Sequence, residues 1–203
     1  MPPSPRVVAK KKQNMLKAAS EMFLANGYED MHLDHLIEKV GGSKAFIYNN
    51  FENKQGLFIA VVEYSCSELL QPLEGLDPAE FTLETGLTEL ARRYLNVSLD
   101  QRSIMLHRLI IAERLQFPEI GAVFNNAGPR VSFRIAARFI AAQQEMGNLS
   151  ERRPAADLAT IFLGMINAGY LTQMLTSGMS RPGTEETDAR ISLAVDTFLN
   201  GLA

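Results

Sequence analysis

The chain has 203 residues but a single cysteine, Cys66, which excludes any intramolecular disulfide and fits a reducing cytoplasm. Cys66 reads as a small buried hydrophobe on a helix, with reactivity the lesser alternative. Histidine is almost as scarce. His32 and His35 sit three apart in "HLDH" with Asp34 between them, and His107 is remote. Metal-binding helices place ligand pairs at i and i+4, so this cluster reads as surface side chains at a helix start. Strand signals are nearly absent. So are a glycine-rich phosphate loop and a nucleophile–base spacing, which leaves Glu113 and His107, in "HRLIIAERLQF", without catalytic company. Glu113 with Arg108 and Arg114 reads instead as a polar network lining a pocket. An enzyme or metal-binding protein built on His107, Glu113 or the His32/Asp34/His35 cluster is the alternative reading. No cofactor is expected.

Targeting signals are missing too. In "QNMLKAASEMFLANG" Lys17 and Glu21 interrupt any apolar core that a signal peptide would need. Residues 158–180 form a run of 23 without charge, long enough to span a bilayer. Asn167, Gln173, three threonines and two serines make that run a poor span, and no basic cluster flanks it. It reads as a helix buried on several faces, in a cytoplasmic protein with no membrane partner.

The net charge of −3 is unevenly spread. Residues 1–54 carry eight basic and six acidic side chains, whereas the rest carry twelve and seventeen. The first 17 residues hold Arg6, Lys10, Lys11, Lys12 and Lys17 and no acid. Taken alone, "AKKK" is a solvated tail, though a basic end is compatible with nucleic acid.

What is present is helical periodicity. The opening "MPPSP" reads as extended or disordered. Helices are expected over 10–26, ended by Gly27, over 33–40, ended by Gly41-Gly42, and from Ser43 as N-cap through Asn49. Asn53 caps a fourth helix running to Leu70. Longer ones follow over 79–98, 102–115, 119–126, 129–146, 154–177 and 184–201. The fold class is all-α, with a small head over residues 1–54 and a larger domain over 55–203.

Three short helices in a row contribute little core, which suits a surface role. A helix, a tight glycine turn and a second helix form the helix-turn-helix arrangement, although such turns also occur in plain bundles. Leu36, Val40 and Ile47 fall at its packing positions, and Phe46 and Phe51 also point inward. Ser43, Lys44, Ala45, Tyr48 and Asn49 then face outward. The helix N-terminus suits phosphates, Lys44 can reach guanine or phosphate, and Ala45 can touch a thymine methyl. Tyr48 and Asn50 can donate to backbone oxygens.

The run "MLKAASEMFLANGYEDMHLDHLIEKVGGSKAFIYNNFENKQGLF", residues 15–58, resembles the N-terminal domain of TetR-family transcriptional regulators. The matches are "AASEMFLANGY", Leu36, Gly41, Ser43, Tyr48, Phe51 and "NKQGLF". "RLIIAERLQFPEI" at 108–120, "GP" at 128–129 and "GNL" at 147–149 resemble the AefR-type C-terminal domain. The resemblance implies a homodimeric, ligand-responsive repressor on a palindromic operator. Its DNA-contacting residues would be His32, Ser43, Lys44, Ala45, Tyr48, Asn49, Asn50 and Lys54. It also implies a pocket for an apolar or amphipathic effector, enclosed by the helices over 54–70, 79–98, 102–115 and 129–146. Met105, Arg108, Leu109, Glu113, Phe124 and Phe139 are the expected lining. The dimer would form a four-helix interface from the apolar helix 154–177 and residues 129–146 or nearby, with Gly164 and Gly169 allowing close approach.

Three departures from the family pattern bear on the head. His32 stands where Thr or Ser usually caps the second helix, Ile37 where Ala is usual, and Gly42 where Val usually follows the turn glycine. Ile37 should push the two helices apart while Gly42 lets them approach. Asn50 also replaces a longer His or Tyr.

Overall fold

Pro5, not Lys10, opens the first helix. The computed structural model describes residues 4–201 and is helical throughout, with no strand among them. In chain order the helices are α1 (Pro5–Asn26), α2 (Leu33–Val40), α3 (Lys44–Phe51), α4 (Lys54–Leu70), α5 (Leu83–Ser98) and α6 (Gln101–Glu113). Then come α7 (Pro118–Ala127), α8 (Pro129–Glu145), α9 (Ala155–Asn167), α10 (Tyr170–Thr176) and α11 (Thr184–Asn200). The expected extended start is thus corrected at Pro5, which sits in the first turn of α1 behind Ser4. Proline costs little there, because the first N–H groups of a helix have no partner within it. Residues 1–3 of that start lie outside the described ones.

The expected helix over 79–98 is also corrected. Pro78–Glu80 form a 3-10 turn, and α5 begins only after Thr82, whose hydroxyl accepts from Thr85 N–H at 3.2 Å. A larger correction falls on 154–177, which is two helices bent by 50°. Ala168 (φ 29°) and Gly169 (φ 95°) are both at positive φ, and Asn167 Oδ1 takes Leu171 N–H at 3.2 Å. An asparagine amide competing for backbone N–H groups, followed by a left-handed glycine, breaks the ladder. Gly169 therefore makes a bend. Among the described residues no single helix is long and apolar enough to cross a membrane.

The chain divides into two packed units. The first holds the residues up to Glu68 together with Met105–Gly128. Its core is Met15, Ala19, Phe23, Leu36, Ile47, Leu57 and Phe58, all fully buried. Tyr28 packs between α4 and the start of α7, its ring centroid 5.2 Å from Phe58 and, edge-on, 4.4 Å from Phe117. A buried hydroxyl pair, Ser20 and Ser65 at 2.8 Å, ties α1 to α4. Cys66 lies against Gly128, and burial pushes its thiol up to about 12, which keeps it a neutral packing group.

The second unit holds Leu69–Ile104 and the residues from Pro129 onward. Here α8 packs along α9, and α11 lies on both α5 and α9. Leu87, Leu90, Phe162, Leu163 and Ile166 form the centre of its core. Gly86 in α5 is a notch for Phe139 of α8: a Cβ at Gly86 would stand 2.3 Å from the ring tip. Gly86→Ala is expected to cost about 1–3 kcal/mol by overpacking, less up to about 1 kcal/mol regained from helix propensity. Phe139→Leu in the same chain should recover part of the loss. Thermal unfolding of the two single variants and the double variant checks this, and a strictly additive double variant would remove the notch.

Candidate nucleic-acid interface

Two glycines shape the turn between α2 and α3. Gly41 has φ 73° and Gly42 φ 130°, both in the region that side chains with a Cβ avoid. An added Cβ at Gly42 would lie 3.5 Å from the ends of both the Lys11 and Met15 side chains. Residues of α1 thus occupy the space beside the turn that a larger residue would fill, and Ile37 remains half-buried. By composition alone Lys11 belongs to a solvated tail. Its position four residues before buried Met15, on the same helix face, was the signal that it packs.

Ser43 starts α3, its hydroxyl accepting from Phe46 N–H at 3.2 Å. Ile47 and Phe51 are buried and Phe46 is half-buried, which leaves Lys44, Ala45, Tyr48 and Asn49 exposed on one short helix. Tyr48 keeps 49% of its surface exposed. The first turn of α3 offers N–H groups that no helix can satisfy internally. Glu52 (φ 67°) ends the helix, and Asn53 Oδ1 then accepts from Gly56 N–H at 2.9 Å to start α4.

Several of the residues expected at DNA, Lys44 among them, have partners inside the first unit. Lys44 Nζ forms an ion pair with Asp34 at 2.8 Å, and this hydrogen bond raises its pKa. Asn50 donates back to Phe46 C=O at 2.8 Å within its own helix. Lys54 donates to Glu29 C=O at 3.1 Å and stands 4.5 Å over the Tyr28 ring. His32 occupies the N-cap of α2 without capping it, and its ring meets His35 edge-on at 5.5 Å.

The residues expected around an effector are divided between the units. Met105, Arg108, Leu109, Glu113 and Phe124 belong to the first, and Phe139 to the second. Leu109 is buried, Met105 and Phe124 are half-buried, and the Phe124 ring meets His107 edge-on at 4.8 Å. Glu113 Oε1 accepts from Tyr28 N–H at 3.3 Å. Close by, Gln116 donates to Glu29 at 2.8 Å and Gln55 donates to Glu119. Residues 113–119 therefore hold the loop after α1 and the start of α4, a connection that helical periodicity could not show. The second unit has a cleft of about 450 Å³ lined by Leu73, Leu76, Pro78, Ile135, Arg138 and Phe139. Among the described residues no three of His, Cys, Asp and Glu could together hold a metal ion.

Comparison with known proteins divides the chain by sequence, and its second match runs through Met105–Gly128 of the first unit. Residues 15–61 match the model for bacterial regulatory proteins of the tetR family. Residues 85–201 match the AefR-like transcriptional repressor C-terminal domain. The HTH-type transcriptional regulator UidR of Escherichia coli K12 is 23% identical over 135 residues, covering 64% of this chain and 65% of its own length. That stretch is just under two thirds of the relative. A TetR-family regulator from Mesorhizobium loti is similar over 95% of this chain and 96% of its own, with 26% identity and a TM-score of 0.86. The flavonoid-responsive regulator FrrA shares 25% identity over 94% of this chain and 96% of its own, with a TM-score of 0.80.

Proposed function

Because the chain belongs to the tetR family of bacterial regulatory proteins, we propose that it is a homodimeric repressor, in the cytoplasm, released from a palindromic operator by a small organic effector. The observation that carries the reading is α3. An eight-residue helix, capped by Ser43 and anchored by buried Ile47 and Phe51, presents Lys44, Ala45, Tyr48 and Asn49 to solvent. Such a helix enters a major groove, and one alone reads too few bases, so a second copy is needed. The apolar side chains left outward in the second unit support this: Ile161 on α9 and Leu193 on α11 are both more than half exposed. These two helices, rather than α8, carry exposed large apolar side chains and form the proposed pairing surface.

Lys44 and Asn49 are assigned to base edges, and Tyr48, Asn50 and Lys54 to phosphates, with His32 and Ser43 beside the backbone. Lys44 must leave Asp34 to do this, and an exposed ion pair of that kind is weak enough to exchange for DNA. Operator duplexes selected from genomic fragments provide the test, with affinities measured at several salt concentrations. Lys44→Ala is expected to weaken operator binding about tenfold or more and to relax preference at one position per half-site. Asp34→Asn should act in the opposite direction, tightening binding modestly, since it frees the lysine and removes a negative charge. Two variants that bind as wild type would displace the recognition helix from this reading.

The effector is read as apolar or amphipathic, with Met105, Arg108, Leu109 and Phe124 of the first unit as its candidate contacts. The flavonoid response of FrrA supports a small organic molecule. Glu113 acts as a link in this reading: its bond to Tyr28 N–H fixes the loop that also receives Lys54. Any effector that releases DNA must bind the DNA-free form better, and operator must weaken effector binding by the same factor.

A further inference from the structure

Arg6, Lys10, Lys11 and Lys12 lie in the part of α1 before Met15, all four are exposed, and the first acid of the chain is Glu21. Among the described residues no carboxylate pairs with any of them, whereas Lys39 and Lys44 of the same unit are paired with Glu21 and Asp34. These four are therefore cations of the first unit that no acid neutralises. Arg6, in the first turn, also stands at the positive end of the α1 dipole, where a cation is disfavoured unless an anion joins it.

The charges are fixed beside the recognition helix. Lys11 Nζ stands 4.7 Å over the Phe46 ring, and Lys12 Nζ 5.1 Å over the Phe51 ring, both of α3. The Lys11 stem lies against the turn at Gly42. A ring face attracts an ammonium without neutralising it, so each lysine is positioned and still charged. Six helical steps from Arg6 to Lys12 span about 9 Å, on the scale of about three phosphates of one strand. The matched regulatory-protein region begins at residue 15, downstream of all four.

We propose that Arg6, Lys10, Lys11 and Lys12 form a second DNA-contact element. It neutralises backbone phosphates beside the half-site and adds affinity without reading sequence. The inference rests on the operator-binding reading above. It gives the solvated charges of α1 a partner whose charge density matches theirs.

The test is fluorescence anisotropy of the full chain on an operator duplex and on a scrambled duplex of equal length, across a salt series. Arg6→Gln/Lys10→Gln and Lys11→Gln/Lys12→Gln are each expected to weaken both duplexes by the same factor. Each pair should lower the slope of log affinity against log salt by roughly two per bound head. Lys11→Arg/Lys12→Arg should restore the wild-type slope, which separates lost charge from lost packing. Unchanged slopes in both Gln pairs would overturn the proposal, as would a loss confined to the operator duplex. So would vesicles of anionic lipid that bind the wild type and not the Gln pairs, if the DNA slopes stay unchanged. If the wild type binds both duplexes alike and the Gln pairs flatten its salt slope, the operator reading fails while this one stands. If it prefers the operator and the pairs change nothing, only this one fails.

Discussion

Gly56→Ala is expected to abolish operator binding and to destabilise the first unit by about 3 kcal/mol or more, at the upper end of overpacking costs. The reason is a backbone contact. A Cβ at Gly56 would lie 1.9 Å from the Phe51 carbonyl oxygen and 3.1 Å from its carbonyl carbon. No side chain can swing away to relieve this, because the obstacle is the end of α3 itself. The same carbonyl accepts from Asn53 N–H at 2.7 Å, and Asn53 Oδ1 holds Gly56 N–H, so the junction is closed from both sides. Glu52 between them is already at positive φ, which leaves little freedom for the 51–52 peptide to rotate. Making room means unwinding the last turn of α3 or lifting the first turn of α4. Either displaces Phe51, and with it the helix that carries Lys44, Tyr48 and Asn49. The gain in helix propensity, up to about 1 kcal/mol, is too small to compensate. Thermal unfolding and operator titration check the prediction together. A variant that melts and binds as wild type would mean that the α3–α4 junction is built differently.

That junction shows what the sequence could and could not reveal. The boundaries of α2 and α3 were legible, because Gly41, Gly42, Ser43 and Asn53 are strong local signals acting within four residues. The outward set on α3 followed from helical spacing once Ile47 and Phe51 were placed inside. The bend at Ala168-Gly169 was missed because the apolar run continues through it. Periodicity registers burial, whereas the break comes from backbone conformation and the Asn167 amide. Partners distant in sequence were missed as well. Nothing local to Glu113 points to Tyr28, 85 residues away, and nothing local to Lys11 points to Phe46. Lys44 illustrates the limit at the site: its exposure could be read from spacing, but its pairing with Asp34 depends on how α2 crosses α3.

Gly164→Arg should give a well-folded chain that no longer dimerises and binds operator about a thousandfold more weakly, towards the non-specific level. Gly164 is exposed on α9, and a Cβ there meets nothing within 4 Å in its own protomer. The substitution replaces a poor helix former with a good one, so the protomer should gain up to about 1 kcal/mol of helix stability. Leu171→Glu is a less clean probe, because Leu171 packs against the second unit's own core. In the proposed dimer the same position sits between the α9 and α11 surfaces of two copies. Two-fold symmetry then brings in two guanidiniums without matching acids, at a cost of several kcal/mol if they are dried and unpaired. Residues 1–54 are untouched, so each head keeps its contacts but loses the second half-site. Gly164→Ala is the control: it should stabilise the protomer and remain dimeric. Sedimentation measures the assembly, unfolding the protomer, and titration the operator. A Gly164→Arg chain that sediments as a dimer and binds normally would place the interface elsewhere than α9.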